Sequence, residues 1–274
     1  MINTKTLFNI AGKTVVITGG TGVLGGAMAE GLADAGAQVV VVGRRKDVGE
    51  VFVNNLQSRG SKAMFIQADV LDEAQLMRGK EAIFRAFGKI DVLVNAAGGN
   101  LPGAVITPTQ TFFDLDMNEF KKVVDLNLTG TVLPTKIFSE EMAQRKEGVI
   151  INIASVTSFQ PLTRVVGYAA AKSSIKNFTE WLAIEMAKKF GEGIRVNGIA
   201  PGFFITEQNR NLLTKSDGSF TQRGLDILQH TPFARFGNPD DLVGTLLWLC
   251  SDASKFVTGI TVPVDGGFTA FSGV

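Results

Sequence analysis

The feature that most constrains this chain is a glycine cluster set between a strand and a helix. The short apolar run Val15-Val16-Ile17 leads directly into Thr18-Gly19-Gly20-Thr21-Gly22-Val23-Leu24-Gly25. Gly20, Gly22 and Gly25 satisfy GxGxxG, and residues 23–35 then show helical spacing, with Leu24, Met28 and Leu32 on one face. Glycines here permit a tight turn and let a pyrophosphate approach the backbone. The helix start behind them offers free N–H groups and the positive end of a dipole. A turn with no ligand is the bland alternative; in this setting the cluster points to a dinucleotide. Gly19, Thr21, Gly22, Val23 and Leu24 are then expected to border the cofactor.

The rest of the chain repeats the strand-then-helix rhythm. Strands are expected at 39–42, 64–66, 92–94, 149–153, 194–199 and 260–264. Helices are expected at 46–58, 73–87, 117–144, 166–190 and 240–250, with Pro134 a possible kink in the third. The strands are continuously apolar rather than alternating, as parallel strands covered on both faces are. The expectation is α/β: a single-domain, Rossmann-type, doubly wound parallel sheet over residues 1–274 with helices on both faces. Residues 203–236 break the rhythm and are expected to form a substrate lid; Phe203 and Phe204 would shield the reacting carbon.

Composition removes several function classes. Lys plus Arg is 27 against 26 for Asp plus Glu, which offers no basic excess for nucleic acid. One cysteine, Cys250, precludes an internal disulfide, and with one histidine, His230, it is too few for a zinc site. The same shortage, with no nucleophile elbow, argues against a Ser-His-Asp hydrolase. No signal peptide or 18-residue apolar run is visible, so a cytoplasmic protein with no membrane contact is expected.

Two strings suggest chemistry. The second strand ends at Val42-Gly43-Arg44-Arg45, where an NAD enzyme usually places a carboxylate for the ribose. Arg44 and Arg45 would favour a 2′-phosphate, hence NADP, with NAD possible; a solvated charge pair is the alternative. Tyr168-Ala169-Ala170-Ala171-Lys172 puts Tyr168 and Lys172 on one helix face. An ammonium there is expected to lower the phenol pKa from about 10 and so fit it for proton transfer. Ser155 ends the fifth strand at the sheet's carboxyl edge, and its hydroxyl suits a substrate oxygen. Asn127 sits in an otherwise helical stretch, where its amide is expected to hold a water relaying protons from Lys172.

With these residues in order, the chain resembles the classical short-chain dehydrogenase/reductase family along nearly its whole length. The resemblance implies a tetrad of Asn127, Ser155, Tyr168 and Lys172, with the usual 13-residue gap from Ser155 to Tyr168. It implies adenine contact by Asp69, next to Val70, and a cofactor-facing fourth-strand motif, Asn95-Ala96-Ala97-Gly98. Pro201 and Gly202, with Phe204 and Thr206, resemble the segment that holds the nicotinamide carboxamide. Arg235-Phe236-Gly237-Asn238-Pro239 and Val264-Asp265-Gly266-Gly267 resemble the closing motifs. Val23 stands where the family carries glycine, with Gly22 one place early. The resemblance also implies a homotetramer, and the tail Phe268-Thr269-Ala270-Phe271 is expected to pack on a neighbouring subunit.

Within the family, Gly98 to Pro102, Pro161 to Arg164, Asn177 to Leu182, Pro201 to Arg210 and Gly267 to Val274 resemble the mannonate-oxidoreductase (fructuronate-reductase) group. That implies reversible reduction of a keto sugar acid. Arg164 or Arg210 would pair with its carboxylate, or either is solvated surface charge; Asn100 and Gln160 would serve hydroxyls. Alternatives are another sugar-acid or polyol dehydrogenase such as a gluconate 5-dehydrogenase, a 3-ketoacyl-type reductase, or a catalytically silent nucleotide sensor. Gln208, Asn209 and Asn211 make the lid polar, against an acyl substrate. An intact tetrad speaks against a sensor.

Overall fold

The structure is a computed structural model that describes residues 4–207 and 209–273. Its elements run α1 (Thr4–Leu7), β1 (Thr14–Thr18), α2 (Val23–Asp34), β2 (Gln38–Gly43), α3 (Lys46–Ser58), β3 (Ala63–Gln67), α4 (Glu73–Phe87) and β4 (Val92–Asn95). Then come α5 (Met117–Val124), α6 (Gly130–Phe138), α7 (Glu140–Arg145), β5 (Gly148–Ile153), α8 (Val166–Phe190) and β6 (Ile194–Pro201). The chain finishes with α9 (Arg210–Leu213), α10 (Gln222–Gln229), α11 (Val243–Cys250) and β7 (Thr261–Val264).

All seven strands form one parallel sheet in the order β3-β2-β1-β4-β5-β6-β7. The expected Rossmann-type doubly wound architecture is therefore what the chain adopts. Strand residues feed two apolar layers alternately. Val15 and Ile17 pack with Met28, Leu32, Leu246 and Leu249 on one face. Val16 packs with Leu76, Ile83, Phe138, Met142 and Leu182 on the other. With both faces covered, β1, β4, β5 and β6 are buried throughout, and their apolar runs are continuous for that reason.

The chain winds outward from β1 to β3 and crosses back to β4. Thr18 pairs with Asn95 where the winding reverses, so the glycine turn and Ala96-Ala97 face each other across the crevice. Ligands of open α/β sheets bind at such a switch point.

The expected 117–144 helix is interrupted. A wide, π-type turn covers Asp125–Thr129 between α5 and α6, and Ser139 separates α6 from α7. The hydroxyls of Thr131, Thr135 and Ser139 each donate to a carbonyl four residues back, at 2.8, 2.7 and 2.6 Å. Pro134 lies inside α6, but the breaks fall on either side of that helix rather than at the proline. Residues 203–236 also differ from an irregular loop: they hold α9, α10 and a Thr214–Phe220 bridge. Gln208 lies outside the described residues.

Candidate active site

The glycine turn is built for close approach. Gly19 has φ +69°, and a Cβ there would lie 2.8 Å from the Ala97 backbone. A Cβ at Gly25 would sit 2.2 Å from the Gly19 carbonyl oxygen, so α2 reaches this near to the turn only with glycine. Gly22 caps α2 without any side-chain hydrogen bond, which leaves the first-turn N–H groups facing outward. Val23 is exposed beside them. Across the crevice, the Thr18 hydroxyl accepts from both Ala96 N and Ala97 N at 3.1 Å. This cradle fits the pyrophosphate of a dinucleotide.

The adenosine end is open. Arg44 and Arg45 are exposed at the end of β2, and Thr21 lies against Gly43. Arg44 approaches Asp69 at 3.9 Å. Asp69 accepts from Leu71 N at 3.0 Å, while Val70 is buried and packs towards Gly130. Asn95 behaves differently from its neighbours. Its amide donates to Thr135 Oγ1 at 2.8 Å and Asn152 Oδ1 at 2.9 Å, and Asn152 continues to Thr179. That side chain belongs to a buried network and not to a cofactor surface.

The tetrad residues converge from three elements. Ser155 follows β5, and its hydroxyl accepts from Thr157 N at 3.2 Å, capping the turn Val156–Ser158. Tyr168 and Lys172 come from the first turns of α8, with Lys172 Nζ 5.7 Å from the Tyr168 ring centroid. Lys172 is buried, and Nζ donates to the Ile153 carbonyl at 2.7 Å. Burial lowers its pKa to about 8. Tyr168 moves against the expected direction. Burial pushes the phenol above its ordinary value, and a side-chain hydrogen bond with Ser155 pulls it partly back. Desolvation is the larger cause and sets the direction.

Asn127 also departs from expectation. Its amide nitrogen donates to Gly99 O at 2.7 Å and Val123 O at 2.8 Å, and its Oδ1 accepts from Gly99 N at 3.0 Å. Both amide protons are spent, so the side chain staples the loop after β4 rather than donating to a water. Gly98 permits this: a Cβ there would lie 2.6 Å from Asn127 Oδ1 and 3.3 Å from Lys172 Nζ. The π-type turn is what swings Asn127 inward.

The loops after β4, β5, β6 and β7 clasp one another above the carboxyl edge. Ile106 N donates to Arg164 O at 3.0 Å, and Gln160 Nε2 donates to Thr269 O at 3.0 Å. Phe203 meets Phe268 edge-to-face at 5.0 Å, and Arg223 Nη1 lies 3.4 Å from Thr163 Oγ1. The tail around 268 is thus held within its own chain. Gln160 spends its amide nitrogen on that tail rather than on a substrate hydroxyl. Phe204 is buried in the core, where it fills the space left by Gly237, so only Phe203 stands at the crevice. Arg210 is exposed at the start of α9 with no side-chain partner among the described residues, whereas Arg164 is half-buried at φ +74°. Asn100 Oδ1 is buried without a hydrogen-bond partner. Pro201 ends β6, Gly202 passes against Asp265, and Thr206 N donates to Asn209 Oδ1 at 2.8 Å.

The sequence reading missed two residues. Thr18 holds the loop after β4, and no pattern in the string signals it. Arg223 was legible only as one more cation in a polar segment.

The pattern of the short chain dehydrogenases matches residues 13–217. The chain belongs to that family. It is therefore an oxidoreductase acting on alcohol or keto groups. Among its relatives is the oxidoreductase UxuB of Bacillus subtilis, itself uncharacterised, 48% identical over 97% of this chain and 98% of that one. A solved structure from Haemophilus influenzae, named for a proposed D-mannonate oxidoreductase activity and holding NAD, is 39% identical with a TM-score of 0.90. It covers 97% of this chain and 98% of its own. A gluconate 5-dehydrogenase from Burkholderia cenocepacia, solved with NADP and tartrate, is 31% identical with a TM-score of 0.86, over 98% and 99% of the two chains. Family members of this group thus bind NAD or NADP and include sugar-acid dehydrogenases. Among the described residues no helix is long and apolar enough to cross a membrane, and no group of side chains could hold a metal ion.

Proposed function

We propose that this protein reversibly reduces a keto sugar acid, D-fructuronate to D-mannonate, with NADPH as the favoured cofactor. The observation that carries the reaction type is the convergence of Ser155, Tyr168 and Lys172 beside the glycine cradle. A bound dihydronicotinamide supplies the hydride to the carbonyl carbon. Ser155 turns its hydroxyl proton from the Tyr168 oxygen to the carbonyl oxygen and so orients it. Tyr168 gives that oxygen its phenolic proton, and in the oxidative direction takes one back. Burial keeps the phenol protonated, the form a proton donor needs. Lys172, poised near pH 8, returns the proton to Tyr168. Asn127 fixes the Gly98-Gly99 loop that walls this centre. Residues 203–236 act as a lid, with Phe203 excluding water from the reacting carbon.

The substrate assignment leans on the stretches shared with the mannonate-oxidoreductase group and on the sugar-acid names of relatives. The orphaned Asn100 Oδ1 suits a sugar hydroxyl. Arg44 and Arg45, with no carboxylate at the same point, support NADPH, while Arg44's approach to Asp69 leaves room for NADH. The active species is proposed to be a homotetramer in the cytoplasm. The test is initial-rate turnover of fructuronate, 5-ketogluconate, uncharged ketohexoses and acetoacetyl thioesters with NADPH and NADH. The expected result is fastest turnover of fructuronate with NADPH. Preference for a thioester, or for NADH, would overturn the corresponding half.

A further inference from the structure

Arg223 is the second residue of α10, on the segment proposed as the lid. Two features make it costly there: it is half-buried, and it stands at the positive end of a helix dipole. Its Nη1 donates to the Oγ1 of Thr163, the neighbour of Arg164, at 3.4 Å. Neither arginine has an ion pair among the described residues. Asp226, one turn along α10, offsets part of the charge, but its Oδ1 already accepts from Gln222 at 2.8 Å. Burial and then the Arg164 charge hold the Arg223 guanidinium below its ordinary value, against a weaker opposing pull from Asp226.

Arg164 is held just as firmly. Its φ of +74° is strained for a residue with a Cβ, and its carbonyl is tied to Ile106 N at 3.0 Å. It ends the loop that carries the chain from Ser155 to Tyr168. Arg223, from the loop after β6, thus lies against Thr163 and close enough to Arg164 to feel its charge, on the loop that joins Ser155 to Tyr168. An anion between them would relieve the repulsion and join the two loops.

We propose that Arg164 and Arg223 form a clamp for a substrate carboxylate, with Arg223 carried in on α10 as the lid settles. The inference rests on the sugar-acid reading and replaces Arg210 as the second cation. A carboxylate fits because each planar fork can donate to one of its oxygens. The clamp selects anionic over neutral ketoses and couples substrate charge to lid position.

The experiment uses the full chain with its preferred cofactor. Arg223→Met and Arg164→Met are each expected to raise KM for fructuronate about 10- to 100-fold, the scale of a lost charge-assisted hydrogen bond. KM for fructose and affinity for the cofactor should stay within about twofold. The double variant should be little worse than either single one, because both arginines serve one group. Without substrate, each Met variant should melt no lower than wild type, since a like-charge contact has been removed; a merely structural arginine would lower the midpoint. Equal loss for fructuronate and fructose, or unchanged KM in Arg223→Met, would overturn the clamp. Tighter binding of a phosphorylated ketose than of the sugar acid would overturn the carboxylate. If wild type turns over no keto sugar acid, the functional reading fails by itself. The clamp is then judged by calorimetry with mannonate and tartrate: binding lost in both variants supports it, and binding retained overturns it.

Discussion

At the scale of single residues, the centre is governed by desolvation more than by the charge pair that the Tyr168–Lys172 spacing suggests. Lys172 sits with its pKa lowered to about 8, and Tyr168 is shifted up. The sign for reduction follows. Below about pH 8 the ammonium is charged and can replace the proton that Tyr168 gives up. Above it the relay loses its proton, so kcat/KM for reduction should fall as pH rises through about 8. Lys172→Arg, which keeps its charge, should flatten that limb. Tyr168→Phe should lower kcat by about 10² or more at every pH, the scale of a positioned acid, while cofactor binding persists. Rates measured across pH 6 to 10 check both, with ~10 the ordinary phenol value. A Phe variant of near-normal activity would remove the acid/base role. The YxxxK spacing was readable from the string. The direction of the phenol shift was not, because burial depends on which loops close over the helix, and no spacing reports that.

At the scale of elements, glycine decides how near α2 comes to the turn after β1. A Cβ at Gly25 would meet the Gly19 carbonyl oxygen at 2.2 Å, and backbone atoms cannot swing aside as a side-chain tip can. Gly25→Ala should therefore weaken cofactor binding by about tenfold or more, the factor set by 1.4 kcal/mol. Overpacking of this kind costs about 1–3 kcal/mol of stability. Gly26→Ala is the internal control: its Cβ would find its nearest neighbour, Phe52, at an ordinary 3.6 Å. Fluorescence titration with NADPH on both variants checks the contrast, and equal binding by the two would refute the close-packing account. Strand and helix positions were legible for a related reason. The inner strands β1, β4, β5 and β6 had to be apolar on both faces, and that leaves a continuous run. The breaks around α6 were not legible, because they arise from Thr131, Thr135 and Ser139 bonding back to the helix and from a turn one residue wider than α. Phe204 misled for a similar reason: an aromatic after the last core strand reads as a lid residue, yet Gly237 leaves a hole that it fills.

At the scale of the whole molecule, α8 is the element that asks for a partner. Its inner face buries Ile175, Leu182 and Ala183 against the sheet. Its outer face leaves Trp181 and Ile184 more than half exposed, at 56% and 58%. Leu128, Phe178 and Trp181 line a shallow depression on that same surface, with Ser173, Ser174 and Asn177 beside it. Large apolar side chains grouped on one face mark an association surface. A two-fold axis would let the patch meet its own copy and so give a closed assembly. The tail around Phe268 contributes little to the argument, since it is held by Phe203 and by Asp265 within its own chain. That contact alone joins two chains, and a second two-fold interface completes the tetramer that the family resemblance implies, so light scattering at micromolar concentration should return the mass of four chains. Placing Glu at both Trp181 and Ile184 should shift it to dimer or monomer without loss of helical signal, because neither side chain supports the core. The two variants together would also separate assembly from catalysis. Tyr168 and Lys172 lie in the first turns of α8, whereas Trp181 and Ile184 lie more than two turns further on. A dissociated protein that keeps its cofactor affinity but loses turnover would mean that the neighbouring copy steadies α8 for the reaction. A monomeric mass for wild type would overturn the tetramer and leave the α8 patch to some other partner.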